Sequence, residues 1–122
     1  MPVSTHQYSH VRVEGEPDRV SPEFHHAVEL IGKRWSGAII WALAGRDHYF
    51  GELNQAIPGL SDRLLSRRLR ELETEGVVAR SVHEGTPPRV SYGLTEKGEA
   101  LRPAIDALGE WAQRWNGAEG ES

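Results

Sequence analysis

Four arginines stand close together between Ser61 and Arg70, and with Asp62 they give these ten residues a local charge of +3. Leu65, Leu69 and Leu72 recur at helical spacing, so we expect a helix that buries the leucines and exposes the opposite face. Arginine can fork two hydrogen bonds to a guanine edge or to a phosphate, and serine can bond to a base or to the backbone. The residues predicted to contact nucleic acid here are Ser61, Arg63, Ser66, Arg67 and Arg70.

A plain solvated face is the alternative interpretation of the same helix. In that case Arg67 pairs with Glu71, and Arg70 pairs with Glu73 or lies beside Thr74, as helical neighbours commonly do. The two interpretations differ in whether the arginines already have acidic partners within the chain.

Arg89 is a further candidate contact, because it follows Pro87 and Pro88 in a predicted hairpin loop. The prolines restrict the loop, and an arginine presented there could enter a minor groove or hold a phosphate. The alternative is that Arg89 pairs with Glu84 and only fixes the hairpin.

Other kinds of chemistry have little support in the sequence. The chain has no cysteine, which excludes disulfides, thiolate ligands and thiol redox sensing. Its six histidines show no metal-ligand spacing, and no nucleophile elbow, phosphate loop or paired-carboxylate pattern occurs. We therefore predict no enzyme activity, no metal and no cofactor. The net charge of -4 disfavours nucleic acid in general, but a basic face on an acidic body is compatible with DNA binding.

The elements that must position these residues follow from caps and periodicity. Ser21, Ser61 and Thr95 are plausible helix N-caps, and glycines stand where helices should end. The predicted fold is mainly α with a small β-hairpin, an α+β winged helix-turn-helix with extra N- and C-terminal dimerisation helices. Helices are expected at residues 22–31, 35–44, 49–57, 61–75 and from Thr95 onward, and strands at 78–83 and 90–94 with Val90, Tyr92 and Leu94 facing inward.

One domain is expected over residues 21–115, with a flexible arm at 1–20 and a flexible tail at 116–122. No apolar run is long enough for a membrane span and no signal peptide is evident, so we predict a cytoplasmic location.

Residues 35–44 are apolar almost all round, which indicates an enclosed helix. Pro103 should bend the last helix near Glu99.

The apolar stripe of the last helix is longer than a domain of this size needs, which predicts a dimer contact. The interface residues that we expect are Phe24, Val28, Ile105, Leu108, Trp111, Ala112 and Trp115. Packing of the last helix onto Trp35 and Trp41 of its own chain is the alternative, and the four tryptophans could also line a ligand pocket, although such residues usually serve cores and interfaces.

Six sequence runs, in order, make the chain resemble the HxlR-type winged helix-turn-helix regulators, distant relatives of the MarR group. The resemblance covers about residues 21 to 115. It implies a homodimer, formed mainly by the first and last helices, that sets two recognition helices on a palindromic operator. The runs are LIGKRW from Leu30, FGEL from Phe50, IPGLS from Ile57, LRELE from Leu69, PPRVSY from Pro87 and LTEKG from Leu94.

The sequence departs from this family at one position that matters for sensing. In many members that respond to oxidants or electrophiles a cysteine precedes the proline of the first helix, and here Ser21 takes that place. The resemblance therefore implies a regulator of transcription, expected to be a repressor, without cysteine-based sensing and with an unidentified small-molecule effector or none. A winged-helix module that binds protein partners is the alternative function.

Overall fold

The computed structural model describes residues 19–117, so most of the predicted arm and residues 118–122 of the predicted tail lie outside the described part. Within residues 19–117, no helix is long and apolar enough to cross a membrane. The chain divides into two compact units, Met1–Arg34 and Trp35–Ser122, which are taken separately below.

The first unit contains one described helix, α1, over Pro22–Gly32. The Ser21 hydroxyl accepts a hydrogen bond from the Phe24 backbone N–H at 3.1 Å, and Pro22 occupies the first turn, where its missing N–H costs nothing. The predicted start and cap are confirmed. Phe24 and Val28 are each 46% exposed, so α1 carries apolar side chains on its surface.

The second unit is a set of short helices with a small sheet, which confirms the mainly α class and the winged helix-turn-helix order. The hairpin formed by β2 (Val78–His83) and β3 (Arg89–Leu94) is called the wing below. The elements are α2 Ser36–Gly45, β1 His48–Tyr49, α3 Phe50–Ala56, α4 Asp62–Thr74, β2 Val78–His83, β3 Arg89–Leu94, α5 Glu96–Ala100 and α6 Arg102–Ala112, followed by a π-helical segment at Gln113–Gly117.

The antiparallel sheet has the order β1-β3-β2, so the central strand is the last one in sequence. β1 was not predicted, because a two-residue strand has no periodicity and exists only through its pairing with β3.

The predicted inward set of β3 also needs correction: Val90, Tyr92 and Leu94 are only half-buried, whereas Ser91 and Gly93 are buried. The Asp47 carboxylate lies where a side chain at Gly93 would stand, which covers this position from the β1 side.

A single apolar core joins α2 to the helices and strands that follow it. Each large side chain buried in it contributes about 1.5 to 3 kcal/mol relative to exposure. One prediction for α2 was wrong, since Trp41 is 63% exposed and the helix is therefore not enclosed on all sides. The core comprises Ile39, Ile40, Leu43, Leu53, Ile57, Leu60, Leu65, Leu69, Leu72, Val77, Val78 and Ile105, with Ala44 at its edge.

The C-terminal helix is broken rather than bent. Two helices, α5 and α6, meet at Leu101, two residues beyond the predicted bend at Glu99. Pro103 lies in the first turn of α6, where proline is tolerated, so the chain restarts a helix instead of kinking one. Asn116 and Gly117, predicted to belong to the tail, lie in the π-helical segment that follows α6.

A hydrogen-bonded junction ties the residues after α4 to the wing and to α5. The Thr95 hydroxyl donates to the Gly76 carbonyl at 2.6 Å, and the Thr95 backbone N–H donates to the Val77 carbonyl at 3.0 Å. The same hydroxyl accepts from the Gly98 N–H at 3.0 Å, as an N-cap does. The Val77 carbonyl oxygen occupies the place that a Cβ on Gly98 would need.

Gly98→Ala is expected to lower the free energy of unfolding by about 1 to 3 kcal/mol, because the added methyl group must push backbone and not a flexible side chain. Thermal unfolding checks this. Gly51→Ala is the matched control, since nothing lies within 4 Å of a Cβ at that position. Equal melting temperatures for the two variants would show that the junction is not tightly packed.

Candidate nucleic-acid interface

The helix-turn-helix consists of α3 and α4 and the connection at residues 57–61. Ile57 and Leu60 of the connection are buried, while Gly59 adopts a φ of +89°, a conformation that favours glycine. The Trp35 ring lies 3.5 Å from the position of a Cβ on Gly59, so the turn rests against this indole. The turn is therefore fixed by packing as well as by its backbone.

Asn54 links the two helices directly, a role that the sequence alone did not predict. Its side-chain amide donates to the Leu60 carbonyl at 3.3 Å and to the Asp62 carboxylate at 2.5 Å. These bonds hold the start of α4 against α3. An asparagine inside a short helix carries no distinctive pattern, so only the fold brings its role to light.

Ser61 starts α4, as predicted. Its hydroxyl oxygen accepts from the Leu64 N–H at 3.1 Å. This bond satisfies one of the free donors of the first helical turn. Ser61 thus has a structural task that is independent of any contact with nucleic acid.

One exposed face of α4 carries the predicted contact residues. Leu65, Leu69 and Leu72 are buried, whereas the side chains of Arg63, Arg67 and Arg70 are exposed. Among residues 19–117, none of these three arginines has an ion-pair partner. Arg63, Ser66, Arg67 and Arg70 are called the arginine face below; Ser66 is half-buried.

The solvated-face interpretation pairs Glu71 with Arg67, but in the structure Glu71 pairs with a different arginine. Arg68 lies 3.2 Å from Glu71, and its side chain is only 15% exposed. Glu71 therefore does not neutralise Arg67 in the structure. The arginine face keeps three positive charges directed to solvent, the arrangement that phosphate binding requires.

The wing arginine has an unexpected partner. The Arg89 guanidinium lies 3.6 Å above the centre of the Tyr49 ring, and within the described residues it forms no ion pair with Glu84. The alternative role predicted for Arg89, pairing with Glu84, is thus not seen. Arg89 remains exposed and is held against Tyr49 at the loop end of the wing.

The β1–α3 junction beside Arg89 is ordered by Glu52. Its carboxylate accepts from the Tyr49 N–H at 2.9 Å and from the Arg46 guanidinium at 3.2 Å. The backbone hydrogen bond, with help from Arg46, holds the pKa of Glu52 below its usual value. Glu52 is therefore charged at neutral pH and stabilises the start of α3.

The predicted dimer residues occupy different environments. Leu108, Trp111 and Trp115 are 55%, 57% and 61% exposed, and they follow one another at helical spacing as an apolar stripe. Ala112 is half-buried beside them. Ile105, in contrast, is 4% exposed in the core of its own chain, so its side chain has no surface to offer a partner.

No group of three or more His, Asp or Glu side chains among residues 19–117 could hold a metal ion. A groove of about 490 Å³ runs beside the exposed Trp41 and is completed by Asp106, Gly109, Glu110 and Gln113, but it is shallow and open to solvent.

Comparison with known proteins gives a consistent result. The profile of the HxlR-like helix-turn-helix family matches residues 30–120. The chain is 46% identical over 94 residues to the uncharacterized HTH-type transcriptional regulator YvaP of Bacillus subtilis (strain 168), covering 77% of this chain and 87% of YvaP. It is 40% identical over 94 residues to the HTH-type transcriptional regulator YodB of the same organism, covering 77% of this chain and 84% of YodB.

Solved structures agree with the sequence comparisons. The reduced form of the transcriptional regulator YodB from B. subtilis aligns with a TM-score of 0.70 and 39% identity, over 80% of this chain and 96% of that one. The redox regulator HypR in its reduced form aligns with a TM-score of 0.75 and 30% identity, over 82% of this chain and 99% of that one. The chain is thus not an enzyme: it belongs to the HxlR-like helix-turn-helix family and is an HTH-type transcriptional regulator.

Proposed function

We propose that this regulator acts as a homodimer on a palindromic operator and represses transcription there. The observation that carries the proposal is the arginine face of α4, whose three arginines point to solvent without acidic partners among the described residues. Placed in a major groove, these side chains reach base edges and phosphates, while Arg89 of the wing contacts the adjacent minor groove or backbone.

The homodimer is supported by apolar side chains left on the surface of the chain. Leu108, Trp111 and Trp115 form a stripe that a second copy would cover, and Phe24 and Val28 of α1 are also exposed. Two copies related by a two-fold axis place their recognition helices about 34 Å apart, one turn of DNA. The two-fold symmetry makes a palindromic operator the expected target, and the spacing sets the separation of its half-sites.

The input signal cannot be thiol chemistry in this protein. HypR is described as a redox regulator with oxidised and reduced forms, and YodB has a reduced and a diamide-treated form. The present chain contains no cysteine, and Ser21, which caps α1, stands before Pro22. If the regulator responds to a signal, that signal is a small molecule or another non-thiol input.

A salt titration of DNA binding tests the proposal. The duplex is the intergenic DNA upstream of the protein's own gene, and a random duplex of equal length is the control. We expect tight binding to the first, with log K falling against log salt at a slope of about -0.9 for each phosphate neutralised. Binding to neither duplex, or a capture of protein partners that salt hardly changes, would instead favour the protein-interaction module.

A further inference from the structure

The loop end of the wing holds a cluster of side chains whose proximity the sequence alone did not predict. Tyr49 pairs with Ser91 across β1 and β3, and His83 pairs with Arg89 across β2 and β3. Arg89 and Ser91 are two residues apart on β3, so all four side chains lie on one face of the sheet. Tyr49, His83, Arg89 and Ser91 are called the wing cluster below.

Tyr49 is the centre of this cluster. Its ring supports the Arg89 guanidinium on one face at 3.6 Å, and the His83 ring meets it edge-on at 5.6 Å with an interplanar angle of 70°. His83 is itself held, because its Nε2 lies 2.7 Å from the Ser91 hydroxyl oxygen. The Tyr49 backbone is fixed by its bond to Glu52. The ring is therefore anchored independently of Arg89.

Arg89 contacts the Tyr49 ring through the flat face of its guanidinium. Among residues 19–117, the Arg89 side chain has no hydrogen-bond partner, so the N–H groups at the edge of the guanidinium remain available as donors. A long side chain that is already held loses less conformational freedom when it binds a ligand. The ring contact therefore holds the guanidinium in place while its N–H groups stay available to donate to a ligand.

We propose that Tyr49 is a positioning residue for DNA binding, which holds the Arg89 guanidinium ready at the loop end of the wing. This inference rests on the proposed function, because it presupposes that the wing contacts DNA. The attraction of the cation to the aromatic ring supplies the restraint, and the phenolic hydroxyl is not needed for it.

The test measures binding of the full-length protein to its upstream duplex for Tyr49→Leu, Tyr49→Phe, Arg89→Ala and the double variant Tyr49→Leu/Arg89→Ala. We expect Tyr49→Leu to weaken binding about threefold to tenfold and Tyr49→Phe to stay within about twofold of wild type. In the Arg89→Ala background, Tyr49→Leu should cause no further loss. Tyr92→Leu is the matched control, since Tyr92 lies on the opposite face of β3.

A fluorinated phenylalanine at position 49 separates the cation–ring attraction from simple packing, and it serves if Tyr49→Leu is too unstable to measure. It keeps the shape of the ring but removes negative charge from its face, so binding should fall relative to Tyr49→Phe. An equal loss from Tyr49→Leu with and without Arg89, or an unaltered affinity with the fluorinated ring, would overturn the positioning role. Wild-type protein that binds neither duplex overturns the proposed function as well, whereas a loss confined to Arg89→Ala overturns this inference alone.

Discussion

Replacing Arg67 by alanine is expected to weaken binding to the operator by about 1 to 3 kcal/mol, while binding to random DNA changes much less. Arg67 lies on the arginine face, and Glu71, its nearest predicted partner, is engaged by Arg68. A guanidinium without an acidic partner among residues 19–117 can form two hydrogen bonds to a guanine. Removing it should therefore reduce sequence preference and leave the fold intact.

The measurement compares affinities for the specific and the random duplex over a range of salt concentrations. Arg102→Ala is the matched control, because it deletes the same charge from an exposed ion pair with Glu99, outside α4 and the wing. An equal loss on both duplexes, with the salt slope shallower by about 0.9, would make Arg67 a phosphate contact. Base recognition would then reside in other residues of α4.

Features that depend on neighbours in sequence could be predicted well. The caps at Ser21, Ser61 and Thr95 each accept the expected hydrogen bond from a backbone N–H three residues later. The leucine stripe of α4 is buried as its spacing required. Both features follow from the geometry of a single helix, which is why one sequence suffices to predict them.

Features that depend on distant residues could not be predicted in this way. The partner of Arg89 is Tyr49, which lies far back along the chain and reaches it only through the pairing of β1 with β3. Within α4, both Arg67 and Arg68 stand at helical spacing from Glu71, and only side-chain placement assigns the ion pair to Arg68. Local patterns thus identified the arginine face but not the contacts that position the wing.

The apolar surfaces show the same limit. Hydrophobicity alone placed Trp41 in an enclosed helix and grouped Ile105 with Leu108, yet Trp41 is exposed, and Ile105 is buried while Leu108 is exposed. Periodicity shows that a helix has an apolar side. How much of that side is covered by the rest of the same chain depends on how α6 packs against α2. That packing leaves Leu108 as the residue on which a dimer can best be tested.

Leu108→Glu is expected to convert the proposed dimer into a folded monomer. Leu108 is 55% exposed in the single chain, so a glutamate there meets water in the monomer and costs the fold little. In a dimer the same carboxylate would be buried in an apolar contact without a partner, which is strongly unfavourable. Sedimentation velocity of wild type and variant, together with a thermal melt, distinguishes loss of the dimer from loss of the fold.

The expected effect of Leu108→Glu on DNA binding arises because a dimer carries two joined recognition helices, one for each half-site. When two recognition helices are joined, the second binds at a high effective concentration, and this advantage is commonly about a hundredfold to ten-thousandfold. The Leu108→Glu monomer should lose most of that advantage on a palindromic duplex while retaining the weak affinity of wild type for an isolated half-site.

Gln113→Glu adds the same charge beside Trp41, on the flank of the helix away from the stripe, and should remain dimeric. If Leu108→Glu stays dimeric with its operator affinity intact, the apolar stripe of Leu108, Trp111 and Trp115 is not the interface, and the two-fold contact must be sought on another surface of the chain.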